Sequence, residues 1–359
     1  MSTATSSQPT RWGRGALGSA AVALLLATAC TSPDETVDPP GVGGADRELS
    51  FEVGADQVYA TFTTPHDGPG EESPGVLIIS GSGPTDRDGN SDMRPEADTN
   101  LNLSRVLTEL GVASLRYDKL GSGETGFGSY DPDEPIDPQV FEAQVVAAYE
   151  ELLAQPEVDP ERTVVLGHSE GALYALRLHE LVPDASPAVV LAAPPGTRYM
   201  DLIDRQLTEQ VRTMEAAGGI EEHESVSLLS DARAARAAIR EGHALPNDLD
   251  AALASVYAPQ NTDFLTAMDA LDPVELAEDL PRQTPVLVLW GEEDGQVLRE
   301  DVDRLMDGFV AAERVDLPKT DHVFREHEDT SGAAPRLDAD RPFASDVTPV
   351  LADFLDTAW

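Results

Sequence analysis

Apolar residues recur along the chain in two alternating rhythms. Two short alternating runs, Leu49-Ser50-Phe51-Glu52-Val53 and Val58-Tyr59-Ala60-Thr61-Phe62-Thr63, come first and predict an antiparallel hairpin. Strand-like apolar runs at residues 76–79, 113–117, 163–166, 188–192, 285–290 and 313–317 then alternate with helical stretches. Stretches at helical spacing lie between or after them, at 102–110, 140–153, 172–178 and 347–357. In the second of these, Val145, Val146, Tyr149 and Leu152 share a face. Continuous apolar strands separated by helices predict an α/β fold with a mostly parallel sheet covered on both faces. Residues 196–280 break the rhythm. They hold no strand pattern, are rich in Ala, Glu, Leu and Arg, and are interrupted near Gly218-Gly219 and Pro246. This predicts a helical cap insertion, serving as a lid over a site or simply as helices packed beside the core. No internal repeat is visible.

Ahead of the hairpin the pattern changes kind. Arg11 and Arg14 precede an apolar run at 16–29 and then Cys30, the layout of a signal peptide over residues 1–29. That run is too short for a comfortable membrane span. Leu26-Ala27-Thr28-Ala29-Cys30 resembles the bacterial lipobox, with Ala27 where leucine is usual; the resemblance implies lipidation of Cys30. An ordinary secretory signal cut nearby is the alternative. Residues 30–48, rich in Pro, Gly, Asp and Thr, follow as a lipidated cysteine and flexible linker. The expected arrangement is a folded domain outside the cell, anchored to the outer face of the membrane. Its core comprises 49–195 and 281–359, with 196–280 as the cap. Cys30 is the only cysteine, so no intramolecular disulfide is possible.

Charge narrows the partners. Lys and Arg total 24 against 66 Asp and Glu, a formal net charge of -42. Nucleic-acid binding needs a basic footprint and is not expected. A solvated, self-repelling surface accounts for the acidity without any acidic-site chemistry.

The chemistry centres on Gly167-His168-Ser169-Glu170-Gly171. This G-x-S-x-G lies directly between a predicted strand, Thr163-Val164-Val165-Leu166, and a predicted helix. The glycines permit a tight turn that lifts the Ser169 hydroxyl above the sheet edge, and the helix N-terminus behind it offers free N–H groups to an oxyanion. A serine nucleophile needs a base, an acid to orient the base, and oxyanion donors. In this chain order the acid follows a late strand. Trp290-Gly291-Glu292-Glu293-Asp294-Gly295-Gln296-Val297 supplies three candidates, and the pattern G-x-x-D-x-x-V favours Asp294. The base is His322, in Leu317-Pro318-Lys319-Thr320-Asp321-His322 after the last strand, with His327 its nearest rival. His66 precedes the nucleophile, His223 and His243 fall in the insertion, and His168 and His179 flank Ser169. The expected oxyanion donors are the backbone N–H groups of Glu170 and of Ser82, the latter in Ser80-Gly81-Ser82-Gly83-Pro84. Asp86, Asp88, Asn90 and Asp92 alternate like calcium ligands but lack the glycine and distal glutamate of an EF-hand. A salt-bridged loop shaping the oxyanion turn is the favoured reading, and no metal site is assigned.

Residues 81–89 (GSGPTDRDG), residues 115–123 (LRYDKLGSG), the GHSEG turn, Asp294 and His322 together resemble the alpha/beta-hydrolase superfamily, in its bacterial esterase-like, dienelactone-hydrolase-related branch. The resemblance runs from about Leu49 onward. It implies an eight-stranded, mostly parallel sheet and a two-step acyl-enzyme mechanism on a small-molecule ester, with no cofactor. Ser80 stands where many relatives carry the histidine of an HG pair. The same three residues would also serve hydrolysis of an amide, peptide or thioester, and an idle hydrolase fold acting as an envelope binding protein is a third possibility.

Overall fold

The computed structural model describes residues 44–65, 72–327 and 337–359. The predicted signal segment, Cys30 with its expected lipidation, most of the linker, and His66 lie outside those residues. The predicted hairpin is β1 (Ala45–Val53) paired antiparallel with β2 (Asp56–Thr64). β1 begins earlier than the linker boundary at 48 allows, so residues 45–48 are strand and not tether. Their polar side chains hid them from an apolar pattern, yet they fasten this edge: Thr63 Oγ1 donates to Asp46 at 2.6 Å and Thr61 Oγ1 to Glu48 at 2.8 Å.

The chain then runs β3 (Ser73–Ile79), α1 (Thr99–Glu109), β4 (Ala113–Tyr117), α2 (Gln139–Ala154), β5 (Val158–His168), α3 (Gly171–Leu181) and β6 (Ala188–Ala192). Before β7 (Val286–Gly291) come α4 (Tyr199–Ala216), α5 (Glu222–Arg240), α6 (Thr262–Ala270) and α7 (Pro273–Asp279), and no strand. α8 (Arg299–Met306), β8 (Glu313–Leu317) and α9 (Val347–Leu355) complete it. The eight strands lie in the order β1-β2-β4-β3-β5-β6-β7-β8; β1 with β2 and β2 with β4 are antiparallel, the rest parallel.

Strand alternation divides the core between the sheet's two faces. Leu77, Ile79, Val165, Val189, Leu191 and Val288 pack with side chains of α2, α3 and α8, in one apolar body with residues of α4–α7. Val76, Ile78, Val164, Leu166, Val190 and Leu287 pack against α1 and α9 on the opposite face. α8 has no counterpart in the apolar pattern. Val302 and Leu305 are its main inward apolar residues, and the third inward position is a fully buried Asp301, which pairs with Arg205 of α4. An ion pair there fills a position that a hydrophobic count registers as surface.

Candidate active site

Parallel strands end on one edge, and the loops leaving β3, β5, β7 and β8 meet there. The turn between β5 and α3 is as tight as its glycines allow. Ser169 sits at φ +52°, a left-handed conformation that is strained for serine, and its N–H donates to Ala192 O at 2.8 Å. A Cβ on Gly167 would come within 2.3 Å of Gly171 O, and one on Gly171 within 2.4 Å of Ile79 O. Both positions therefore demand glycine if Ser169 is to stand above the sheet.

The structure brings Ser169, His322 and Asp294 together. The Ser169 hydroxyl donates to His322 Nε2 at 3.1 Å, and His322 Nδ1–H donates to Asp294 Oδ2 at 2.8 Å. Among the acid candidates Glu292 and Glu293 are exposed, whereas Asp294 is buried. Its other oxygen accepts the N–H groups of Gln296 at 2.7 Å and Val297 at 2.9 Å. Burial alone pushes the Asp294 carboxyl up; the His322 ring and these hydrogen bonds outweigh it and hold the group below its ordinary value. It therefore remains a carboxylate at neutral pH. The acid and histidine loops are pinned to each other by Glu293 N–H donating to Thr320 O at 2.9 Å and Glu292 N–H to Leu317 O at 2.9 Å.

The rival histidines fall elsewhere. His179 caps its own helix through Leu176 O, His223 and His243 are exposed on the insertion, and the His327 N–H is tied to Lys319 O. His168 has a supporting part that no sequence pattern indicated. Its Nε2–H donates to the His322 carbonyl at 2.8 Å, joining the serine turn to the histidine loop. Burial, then the adjacent His322 ring, lowers its pKa to about 3, so it is neutral and its tautomer is set by that bond.

Ser82, Ser169 and Glu170 line one small, partly open cleft. The N–H groups of Ser82 and Glu170 donate to no backbone carbonyl among the described residues. The remaining lining is Pro195 and Gln296 with Tyr199, Leu202, Ile203 and Gln206 of α4. The α4 residues were missed because an amphipathic helix does not reveal which face meets a site. α4 is held in place at both ends of this stretch. Met200 N–H donates to the buried Asp269 at 3.0 Å, and Arg205 Nη1 donates to Asp301 at 2.7 Å.

The loop after β3 is the salt-bridged structure favoured over a calcium site. Arg87 Nε donates to Asp118 at 3.1 Å, and Arg116 Nε to Asp88 at 2.9 Å. Ser80, in the place of the histidine, serves as a strut: its hydroxyl donates to Asp86 O at 3.0 Å and accepts from Asn100 Nδ2 at 2.8 Å. Asp86 itself accepts the N–H groups of Asp88 at 3.0 Å and Asn90 at 2.8 Å. Burial raises its carboxyl to about 6, against the pull of those two bonds and with help from Asp88 and Asp118. A carboxyl that is raised in the native state favours folding when protonated, so its contribution is full below the unfolded pKa and fades as pH rises through 6. Wild type is therefore expected to lose about 1–2 kcal/mol more stability than D86N between pH 4.5 and 7.5, as read by urea unfolding. Equal losses in the two proteins would contradict this.

The sequence profile of the alpha/beta hydrolase family matches residues 76–333. A comparison with curated protein sequences gives no significant match. Among solved structures the chain is similar to Est1E from Butyrivibrio proteoclasticus with ferulic acid bound, at 18% identity and a TM-score of 0.54, over 86% of this chain and 98% of that one. It is similar to the Pyrococcus furiosus esterase Pf2001 at 14% identity and a TM-score of 0.54, over 90% and 96%. Hypothetical protein PA2218 from Pseudomonas aeruginosa gives 17% identity and a TM-score of 0.55, over 92% and 100%. At these identities the likeness is one of fold.

Proposed function

The chain belongs to the alpha/beta hydrolase family, and on that premise we propose that it is a serine hydrolase cleaving carboxylic esters through an acyl-enzyme on Ser169. The observation that carries the proposal is the continuous hydrogen-bond line from Ser169 through His322 to Asp294, with Ser169 lining a cleft beside Ser82 and Glu170. In this mechanism Ser169 Oγ attacks the ester carbonyl as His322 Nε2 takes its proton. Asp294 stabilises the resulting imidazolium and holds its tautomer. The Ser82 and Glu170 N–H groups receive the oxyanion. The imidazolium returns its proton to the departing alcohol, and a water molecule then frees the acid by the same steps in reverse. None of these steps calls on a metal or organic cofactor.

The choice of ester over amide is supported by the similarly folded Pyrococcus furiosus esterase Pf2001. Parallel assays on p-nitrophenyl esters and aminoacyl anilides test that choice, with fluorophosphonate labelling as a check on the nucleophile. Ester turnover and labelling that vanishes in Ser169→Ala are expected. Anilide turnover with negligible ester turnover would point to amide chemistry, and no labelling in wild type would remove the serine mechanism.

A further inference from the structure

Beside the cleft lies a buried charged cluster whose side chains the steps above do not use. Lys119, in the loop after β4, and Glu170, directly after the nucleophile, are 8% and 4% exposed. Lys119 Nζ lies 3.5 Å from Glu170 Oε1, and Tyr199 Oη donates to Glu170 Oε2 at 2.7 Å. Lys119 Nζ also donates to the carbonyl oxygen of Gly81. Gly81 is packed on the serine turn, where an added Cβ would lie 3.2 Å from His168 Nδ1 and 3.3 Å from Ser169 Cβ.

The importance of that carbonyl follows from peptide geometry. The Gly81 C=O and the Ser82 N–H belong to one planar amide and, since no peptide bond in the described residues is cis, point in opposite directions. A group that grips the carbonyl from behind therefore aims the N–H toward the cleft. An ammonium there also polarises the amide and makes the N–H a better donor. The same ammonium is paired with the side chain of Glu170, the residue that supplies the second donor.

We propose that Lys119 is the positioning residue of the oxyanion hole, holding the Gly81–Ser82 peptide and Glu170 so that both donor N–H groups converge on one point beside Ser169. This rests on the serine-hydrolase reading above. Burial lowers the Lys119 pKa, and the adjacent Glu170 only partly reverses this. Placing two buried charges beside a reacting carbonyl is costly for a fold. Aiming a dipole where charge develops accounts for that cost.

The test is steady-state kinetics on p-nitrophenyl acetate together with the affinity of a trifluoromethyl ketone, whose adduct on Ser169 presents an oxyanion to the hole. K119M is expected to lower kcat about 100-fold, with KM changed by less than about threefold, because the aimed donor acts in the transition state. Inhibitor affinity should fall by a similar factor. Removing Lys119 alone takes the counter-charge from the buried Glu170 and leaves it only Tyr199, so K119M/E170Q is the companion variant. It is expected to regain the wild-type Tm to within a few degrees while kcat stays low. A kcat within about threefold of wild type in either variant, or a loss appearing in KM with inhibitor affinity unchanged, overturns the inference. Wild-type turnover abolished by Ser169→Ala secures the ester reading separately. If wild type turns over no ester, that reading falls, and this one with it.

Discussion

Replacing Ser169 or His322 with alanine is expected to cut kcat on a p-nitrophenyl ester by about 10⁶-fold, and replacing both is expected to cost no more than either alone. The reason is the single proton path: Ser169 Oγ reaches Asp294 only through the His322 ring, at 3.1 Å and 2.8 Å. Once either end of the Ser169–His322 bond is gone, the other has nothing to act on. Asp294→Asn is expected to be milder, about 10⁴-fold. An asparagine amide facing Nδ1 would favour the tautomer with its proton on Nε2, leaving the serine hydroxyl without an acceptor. What survives in each variant is the contribution of the Ser82 and Glu170 donors and of binding, about 10³-fold over water. Single-turnover kinetics on the four proteins is the measurement. Losses that multiply in the double variant would mean that Ser169 and His322 act independently and are not one relay.

These three residues were readable because each is fixed by local chemistry. Two glycines with no room for a Cβ flank Ser169, a buried aspartate follows β7, and a histidine follows β8, in the order the fold imposes. The inner strands β3, β6 and β7 were readable because a strand covered on both faces is apolar along its buried length, and the β1–β2 hairpin through its alternation. What escaped notice is polar, exposed at the start of β1 and buried in α8 and beside the cleft. Residues 45–48 join β1 through hydrogen bonds of Asp46 and Glu48, and α8 turns the ion-paired Asp301 inward. Lys119, Glu170 and Tyr199 meet from three separate segments. Hydrophobic periodicity measures transfer from water, and it assigns such groups to the surface unless their partners are known. The partners lie tens of residues away and are set by topology alone.

The two loop segments that pointed to the family, 81–89 and 115–123, are each other's partners, which leads to the largest expected effect on stability. Arg87 pairs with Asp118, Asp88 with Arg116, and Lys119 reaches back to Gly81. Asp118 is the hub. One oxygen accepts the Arg87 N–H at 2.7 Å, and the other accepts Arg87 Nε at 3.1 Å and the Glu124 N–H at 2.8 Å. A Cβ on Gly123 would fall 2.1 Å from the Asp118 carboxyl carbon, so the chain wraps closely around it. Burial pushes the Asp118 carboxyl up, and Arg87 only partly reverses this. Asp118→Ala is expected to cost about 2–4 kcal/mol in urea unfolding, because it leaves two backbone donors without an acceptor and takes from Arg87 its one buried carboxylate, leaving it only the exposed Glu48 and Glu124. Asp88→Ala should cost about 1 kcal/mol or less, since that side chain is 37% exposed and its partner Arg116 keeps Thr63. Charge is only part of the Asp118 effect. An apolar double replacement, R87M/D118L, removes both charges yet still leaves the Arg87 and Glu124 N–H groups without acceptors. It should therefore remain about 2 kcal/mol below wild type. Full recovery in that double variant would mean that Asp118 serves only as a counter-charge, and the loop that carries Ser82 would owe its shape to something else.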